Sequence, residues 1–159
     1  MRKAMSTEIQ AWLKHHAVQA ALRSNYAEKS IMEMRWILRF KESGAAKARL
    51  VIIGYQDPRI GSEVRTEAPA ISRRGRALSF TKVSQRGVRL RKGDVKNAFL
   101  QCHVVNEAQE LIADPVPELV EHLGLSPDEV VVLTKFCYGP IDAPLETWKV
   151  MRHSVLSRG

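Results

Sequence analysis

Two neighbouring stretches rich in bulky apolar residues constrain the fold of this 159-residue chain most strongly. Residues 31–40 combine Ile, Met, Trp, Leu and Phe, and residues 48–55 contain Leu, Val and a pair of Ile residues. Between them lies Glu42-Ser43-Gly44, which has the composition of a tight turn. Apolar and β-branched runs on both sides of a short turn are typical of a β-hairpin. The chain is therefore predicted to contain an antiparallel sheet.

Helical patterns occur on both sides of this hairpin. Thr7 and Gln10 fit a capping box, and apolar residues recur behind them at helical spacing, so a helix is predicted over residues 7–23. A second helix is expected over residues 72–87, where Gly87 suits the C-terminal position. Its buried side is expected to contain Ile71, Ala77, Leu78 and Val83. Two further helices are predicted over residues 118–123 and 143–156.

Three more strands are expected, over residues 88–95, 110–113 and 129–134. Alternation in the first of them places Asp94 at its end. Residues 56–62, with Pro58 and Gly61, have the composition of a turn. The chain is therefore predicted to combine strands with helices.

The formal net charge of +8 is concentrated in one segment. Residues 72–96 hold nine basic residues and one acidic residue, whereas residues 97–159 hold four basic and nine acidic residues. Charge this one-sided occurs on solvated faces and on surfaces that bind nucleic acid. The candidates for nucleic-acid contact are the basic residues of the second predicted helix: Arg73, Arg74, Arg76, Lys82 and Arg86.

The sequence offers no candidate membrane span and no zinc motif. Its longest stretch without a charged residue covers only residues 97–106, whereas a spanning helix needs about 20 apolar residues. Cys102 and Cys137 have neither Cys-x-x-Cys spacing nor a His at ligand spacing, and both are expected to be reduced thiols. We therefore expect no membrane partner and an intracellular location, either cytoplasmic or nuclear.

Asp94 differs from the other acidic residues in its surroundings. Its neighbours in sequence are basic: Arg89, Arg91, Lys92 and Lys96. A carboxylate can bind a hard cation, and a basic field attracts polyanions. Although a lone Asp at a strand end is ordinary, this combination indicates phosphate chemistry.

The stretch Asp94-Val-Lys-Asn-Ala-Phe-Leu also resembles the first catalytic motif of copia-type retrotransposon reverse transcriptases. Further stretches are similar to that family and follow in its order, so that the resemblance covers the chain from about Arg35 onward. They are Lys47-Ala-Arg-Leu-Val with Gly54, Thr66-Glu-Ala-Pro, Tyr138-Gly, Ala143-Pro and Trp148.

The resemblance implies an RNA-directed DNA polymerase, a nucleotidyltransferase of a transposable element. Asp94 would be its catalytic carboxylate and would bind Mg²⁺ together with the backbone carbonyl of Val95. Phe99 would lie under the sugar of the incoming dNTP, and Lys47 and Arg49 would contact its phosphates. From residue type alone, Phe99 also fits a core position, and the two basic residues also fit exposed charges on a hairpin edge.

The implied architecture belongs to the α+β class, with antiparallel strands packed against helices. It comprises a helical lead-in over residues 1–30 and an incomplete reverse transcriptase domain of fingers and partial palm over residues 31–159. The family's Tyr-x-Asp-Asp hairpin lies beyond this stretch, and the sequence contains no Asp-Asp pair. Where the family has Leu-Lys-Gln-Ala-Pro-Arg, this chain departs from it at Ile141, Asp142 and Leu145. Asp142 is expected to repel phosphate.

In the intact parent enzyme, the resemblance implies RNA/DNA primer-template and dNTP as substrates. It also implies contacts with a C-terminal palm, a thumb and a ribonuclease H region. The 159 residues alone are expected to be inactive and to self-associate. Two alternatives are a small basic module that binds nucleic acid without catalysis and a relic without function.

Overall fold

A five-stranded mixed sheet forms the centre of the computed structural model, which describes residues 1–89, 93–102 and 110–157. Its strand order is β1-β5-β4-β2-β3. Strands β2 and β4 pair in parallel, and the other neighbours are antiparallel. The strands are β1 (Val18–Leu22), β2 (Ile31–Phe40), β3 (Ala46–Ile52), β4 (Ile112–Asp114) and β5 (Glu129–Leu133). Together with four helices in the described residues, this sheet confirms the α+β class.

The predicted hairpin is confirmed by β2 and β3. Trp36 pairs with Leu50 in an antiparallel register, and the connecting turn uses Gly44 at φ 75°. Met32 and Met34 are buried whereas Glu33 and Arg35 between and beyond them are exposed, as expected for a strand with one face on the core. Strand β3 carries Lys47 and Arg49 on the face opposite to that of Ala48 and Leu50.

The helices are α1 (Arg2–Lys14), α2 (Arg73–Gln85), α3 (Pro117–Leu123) and α4 (Ala143–Leu156). The last three confirm the predicted helices. Ser72 caps α2 by accepting a hydrogen bond from the Gly75 N–H at 3.0 Å, and Gly124 ends α3 in the left-handed region at φ 65°. Among the described residues, no helix is long and apolar enough to cross a membrane.

The N-terminal helix was predicted wrongly at both ends. It begins at Arg2 and ends at Lys14, and Val18–Leu22 forms β1 instead. The Thr7 hydroxyl lies inside the helix and donates to the Lys3 carbonyl, so no capping box forms there. Strand β5 supplies hydrogen-bond partners for β1 along its whole length, and this long-range pairing overrides the local helical spacing.

The strand predicted over residues 88–95 is not observed in its described part. Residues 88–89 and 93–95 are irregular, and residues 90–92 lie outside the described residues. Asp94 therefore lies in an irregular segment rather than at a strand end. A turn follows it, in which Asn97 has φ 53°, and then a short 3₁₀ helix, Phe99–Gln101.

The buried side predicted for α2 is also wrong. No residue of α2 is buried, and Ile71 and Leu78 are 57% and 70% exposed. The apolar core forms elsewhere, where α1, α3 and the start of α4 pack with the sheet. Its largest fully buried side chains include Ile9, Trp12, Met32, Leu50, Leu111 and Leu119.

Candidate functional site

A cleft of about 270 Å³ opens between α1, strand β3, the segment around Asp94 and Tyr138. It brings together all five residues that the sequence predicted for nucleotide and metal binding. These are Lys47, Arg49, Asp94, Val95 and Phe99. The remaining lining residues are Glu8, Trp12, Ala48, Lys96, Asn97, Leu100, Cys137 and Tyr138.

Tyr138 forms an aromatic wall of this cleft. Its carbonyl accepts a hydrogen bond from the Ile52 N–H at 2.7 Å, which continues the edge of strand β3. The Phe99 ring meets it edge-on with centroids 4.6 Å apart, and the Arg49 guanidinium lies 4.8 Å from its centroid. The contact with Tyr138 holds Arg49 by a cation–π interaction. Phe99 also packs against the core, so its two sequence interpretations are compatible.

The charges in the cleft are mixed. Lys47 is exposed and Arg49 is half-buried, and both belong to the outward face of β3. Glu8, from α1, lies with Asp94 among the lining residues. Burial raises the pKa of Glu8, although a hydrogen bond from Leu50 and the positive charges of Arg49 and Lys47 act in the opposite direction. The cleft therefore offers cations for an anionic ligand and a carboxylate that competes for them.

Asp94 and Val95 suit a hard cation by the chemistry of their donors. The Asp94 side chain is exposed and Val95 is 41% exposed, so both line an accessible part of the cleft. Carboxylate and carbonyl oxygens are the ligands that Mg²⁺ prefers, and Mg²⁺ usually completes its shell with water and substrate phosphates. The donor chemistry of these two residues therefore suits a hard cation such as Mg²⁺.

Glu8 was not among the predicted site residues, because none of the motifs includes the N-terminal helix. The signal was present, since Glu8 and Trp12 are four positions apart and therefore share one helix face. Tyr138 was noted only as part of a motif. Its position in the cleft depends on the pairing with β3, which no local pattern indicates.

The five basic residues predicted for nucleic-acid contact lie apart from the residues that line the cleft. All five are exposed on α2 or at its C-terminal end. Helix α2 contains no acidic residue, so every charged side chain on it is basic. The structure thus separates the two groups of predicted site residues.

Asp142 does not line the cleft, contrary to the expectation that it faces phosphate. Its carboxylate accepts two hydrogen bonds from Arg59, each of 2.8 Å, and Arg59 also binds Asp57. Leu145, the other large departure from the family motif, is buried in the fold. Asp114, another carboxylate of the fold, pairs with Arg23.

The chain was compared with known proteins. No protein-family model matches it, and neither a curated protein nor a solved structure gives a significant match. Any assignment of function therefore depends on the motifs and on the geometry of the cleft.

Proposed function

We propose that the cleft binds a nucleoside triphosphate with Mg²⁺ and that the chain is the fingers and partial palm of a copia-type reverse transcriptase. One observation carries the proposal: residues from two distant parts of the sequence, chosen by motif, line a single cleft. A chance resemblance gives no reason for Lys47 and Arg49 to lie beside Asp94 and Phe99.

Each residue has a definite role in this proposal. Arg49 presents a planar fork of donors, and Lys47 adds a point charge, so the pair binds the triphosphate oxygens. The Asp94 carboxylate and the Val95 carbonyl hold the ion. When bound, Mg²⁺ neutralises phosphate charge and stabilises the oxygens that exchange at phosphorus. Phe99, held by Tyr138, lies under the sugar.

Nucleotide binding by the isolated chain tests the proposal. Fluorescence titration with a labelled dATP analogue in the presence of Mg²⁺ should give a saturable signal. The double variant Lys47→Ala/Arg49→Ala should weaken it about tenfold or more, which corresponds to about 1.4 kcal/mol. Arg35→Ala removes an exposed cation from the same hairpin outside the cleft and is the matched control. Equal weakening in the control, or none in the double variant, would refute the role of the pair.

A second candidate function is sequence-independent nucleic-acid binding through α2. Its exposed basic residues and lack of acidic residues favour it. Binding through phosphates weakens with salt, and the slope of log K against log salt changes by about 0.7–0.9 for each phosphate contact.

Fluorescence anisotropy with a labelled primer-template across a salt series measures this slope. Changing Arg73, Arg74 and Arg76 to Ala should lower both affinity and slope. The control triple variant removes the same charge from the hairpin, at Arg35, Arg39 and Lys41. Affinity that ignores salt, or that falls equally in both triple variants, would rule out α2 as the binding surface.

A further inference from the structure

The Arg59 side chain binds both Asp57 and Asp142 and so joins two segments that are distant in sequence. We call this group of three residues the Arg59 clamp. Its Nε–H and one Nη2–H donate to the two Asp57 oxygens at 2.9 and 2.8 Å. Its Nη1–H and the other Nη2–H donate to the two Asp142 oxygens, both at 2.8 Å. Asp57, Arg59 and Asp142 are 3%, 8% and 9% exposed, so water competes little for these bonds.

Backbone groups complete this cluster. Asp57 also accepts the N–H of Arg59 at 3.0 Å and the N–H of Ile141 at 3.2 Å. Asp142 stands at the N-cap of α4, where the helix dipole favours a negative charge. Two buried carboxylates with one guanidinium leave an excess negative charge, which these dipoles offset. Arg59 is the central member, because removing it would leave two buried carboxylates without a cationic partner.

The clamped segments also touch at the cleft. A Cβ on Gly54 would lie 2.2 Å from the Gly139 carbonyl oxygen, and a Cβ on Gly139 would lie 2.1 Å from the Ile52 carbonyl oxygen. The Ile52 N–H donates to the Tyr138 carbonyl at 2.7 Å. Residues 138–142 are thus held to residues 52–59 at three points: by the backbone at Tyr138, by the Ile141 N–H at Asp57 and by Arg59 at Asp142.

We propose that Arg59 is a positioning residue that, through Asp57 and Asp142, holds Tyr138 against Arg49 and Phe99 and so sets the shape of the cleft. Asp142, expected to disturb phosphate binding, instead completes this clamp. The proposed positioning of Tyr138 is argued from these contacts and does not depend on a ligand. Its effect on nucleotide affinity rests on the proposed function.

Cys137, which precedes Tyr138, reports on the clamp. It is 1% exposed, and burial raises its pKa, so it should react slowly with a thiol reagent while the segment is in place. The Cys102→Ala background removes the other thiol. In that background, Arg59→Lys keeps the charge but loses the paired geometry, and Asp142→Asn releases only the α4 side. Both should raise the rate of Cys137 modification at least about tenfold, because the rate follows the population of the locally open form.

The control is Arg23→Lys, which alters the ion pair with Asp114; neither residue lines the cleft. Urea unfolding of each variant gives the global stability in parallel. If Cys137 reactivity rises only as far as global stability falls, or rises equally in the control, the cluster stabilises the fold without positioning Tyr138 and the proposal is wrong.

Nucleotide titration separates this proposal from the proposed function. A positioning role predicts that Arg59→Lys weakens nucleotide binding as Cys137 becomes reactive. If the parent chain binds no nucleotide while Cys137 responds as expected, the clamp stands and the proposed function fails. If nucleotide binds equally in parent and variant, Arg59 does not shape the binding cleft.

Discussion

Replacing Glu8 should change the affinity of the cleft for an anionic ligand. Its carboxylate lies with Lys47 and Arg49 in the cleft and competes with an anionic ligand for them. Glu8→Gln should therefore strengthen binding of a triphosphate, by roughly threefold at moderate salt. The titration with labelled dATP measures this change. Glu42→Gln removes an equal charge from the exposed hairpin turn and should leave affinity unchanged. Weaker binding in Glu8→Gln would show that Glu8 supports the ligand.

Phe99 has two proposed roles, as a contact under the nucleotide sugar and as a core residue, and its replacement distinguishes them. If it lies under the sugar, Phe99→Ala should reduce the preference for dATP over ATP, because the side chain crowds the 2′ position. Loss of its contacts with Tyr138 and the core should also cost about 2 kcal/mol of unfolding free energy. Competition titrations give the selectivity, and urea unfolding gives the stability. A stability loss with unchanged selectivity would leave Phe99 as a core residue only.

Asp57 should make stability depend on acid pH. Burial alone raises its pKa, but hydrogen bonds from Arg59 and Ile141 outweigh this and bring the pKa below its ordinary value. A lowered pKa means that the stabilisation is complete above the unfolded value of about 3.9 and is lost as pH falls through the folded value. The midpoint of urea unfolding can be measured from pH 6 to pH 2.5, a range that roughly brackets that value. As the pH is lowered, the midpoint should fall less steeply in Asp57→Asn than in the parent. Asp128→Asn, at an exposed turn, should keep the parent's slope.

At the scale of secondary-structure elements, local patterns were sufficient to predict an element whose hydrogen-bonding partner is close in the sequence. The hairpin and the cap at Gly124 follow from residues within a few positions of each other. Strand β1 could not be predicted in this way, because its partner β5 lies more than a hundred residues further along the chain. The site shows the same limit: motif residues were predicted, but the Arg59 clamp joins distant segments and was missed.

Helix α2 carries exposed apolar side chains, which favour self-association. Its Leu78 and Phe80 side chains are 70% and 51% exposed. We expect the chain to associate with rising concentration in sedimentation velocity experiments. Leu78→Gln/Phe80→Gln should reduce this association. Phe40→Gln/Tyr55→Gln, which changes aromatic residues elsewhere that are 71% and 75% exposed, should not. Equal effects would place the contact outside α2.

At the scale of the whole molecule, the proposed nucleotide cleft has too few carboxylates for catalysis. Among the described residues, Glu8 and Asp94 are the acidic residues that line it, and the sequence holds no Asp-Asp pair. Nucleotidyl transfer by two metal ions needs more ligands than Asp94 supplies. The 159 residues alone should therefore bind a nucleotide without extending a primer.

Isothermal titration of dATP into the 159-residue protein, with and without Mg²⁺, tests this claim most directly. The account predicts binding that requires Mg²⁺, is lost in Asp94→Asn and is unchanged in Asp128→Asn, with no primer extension by the same sample. Binding that is unchanged both without Mg²⁺ and in Asp94→Asn, or no binding at millimolar nucleotide, would contradict this claim.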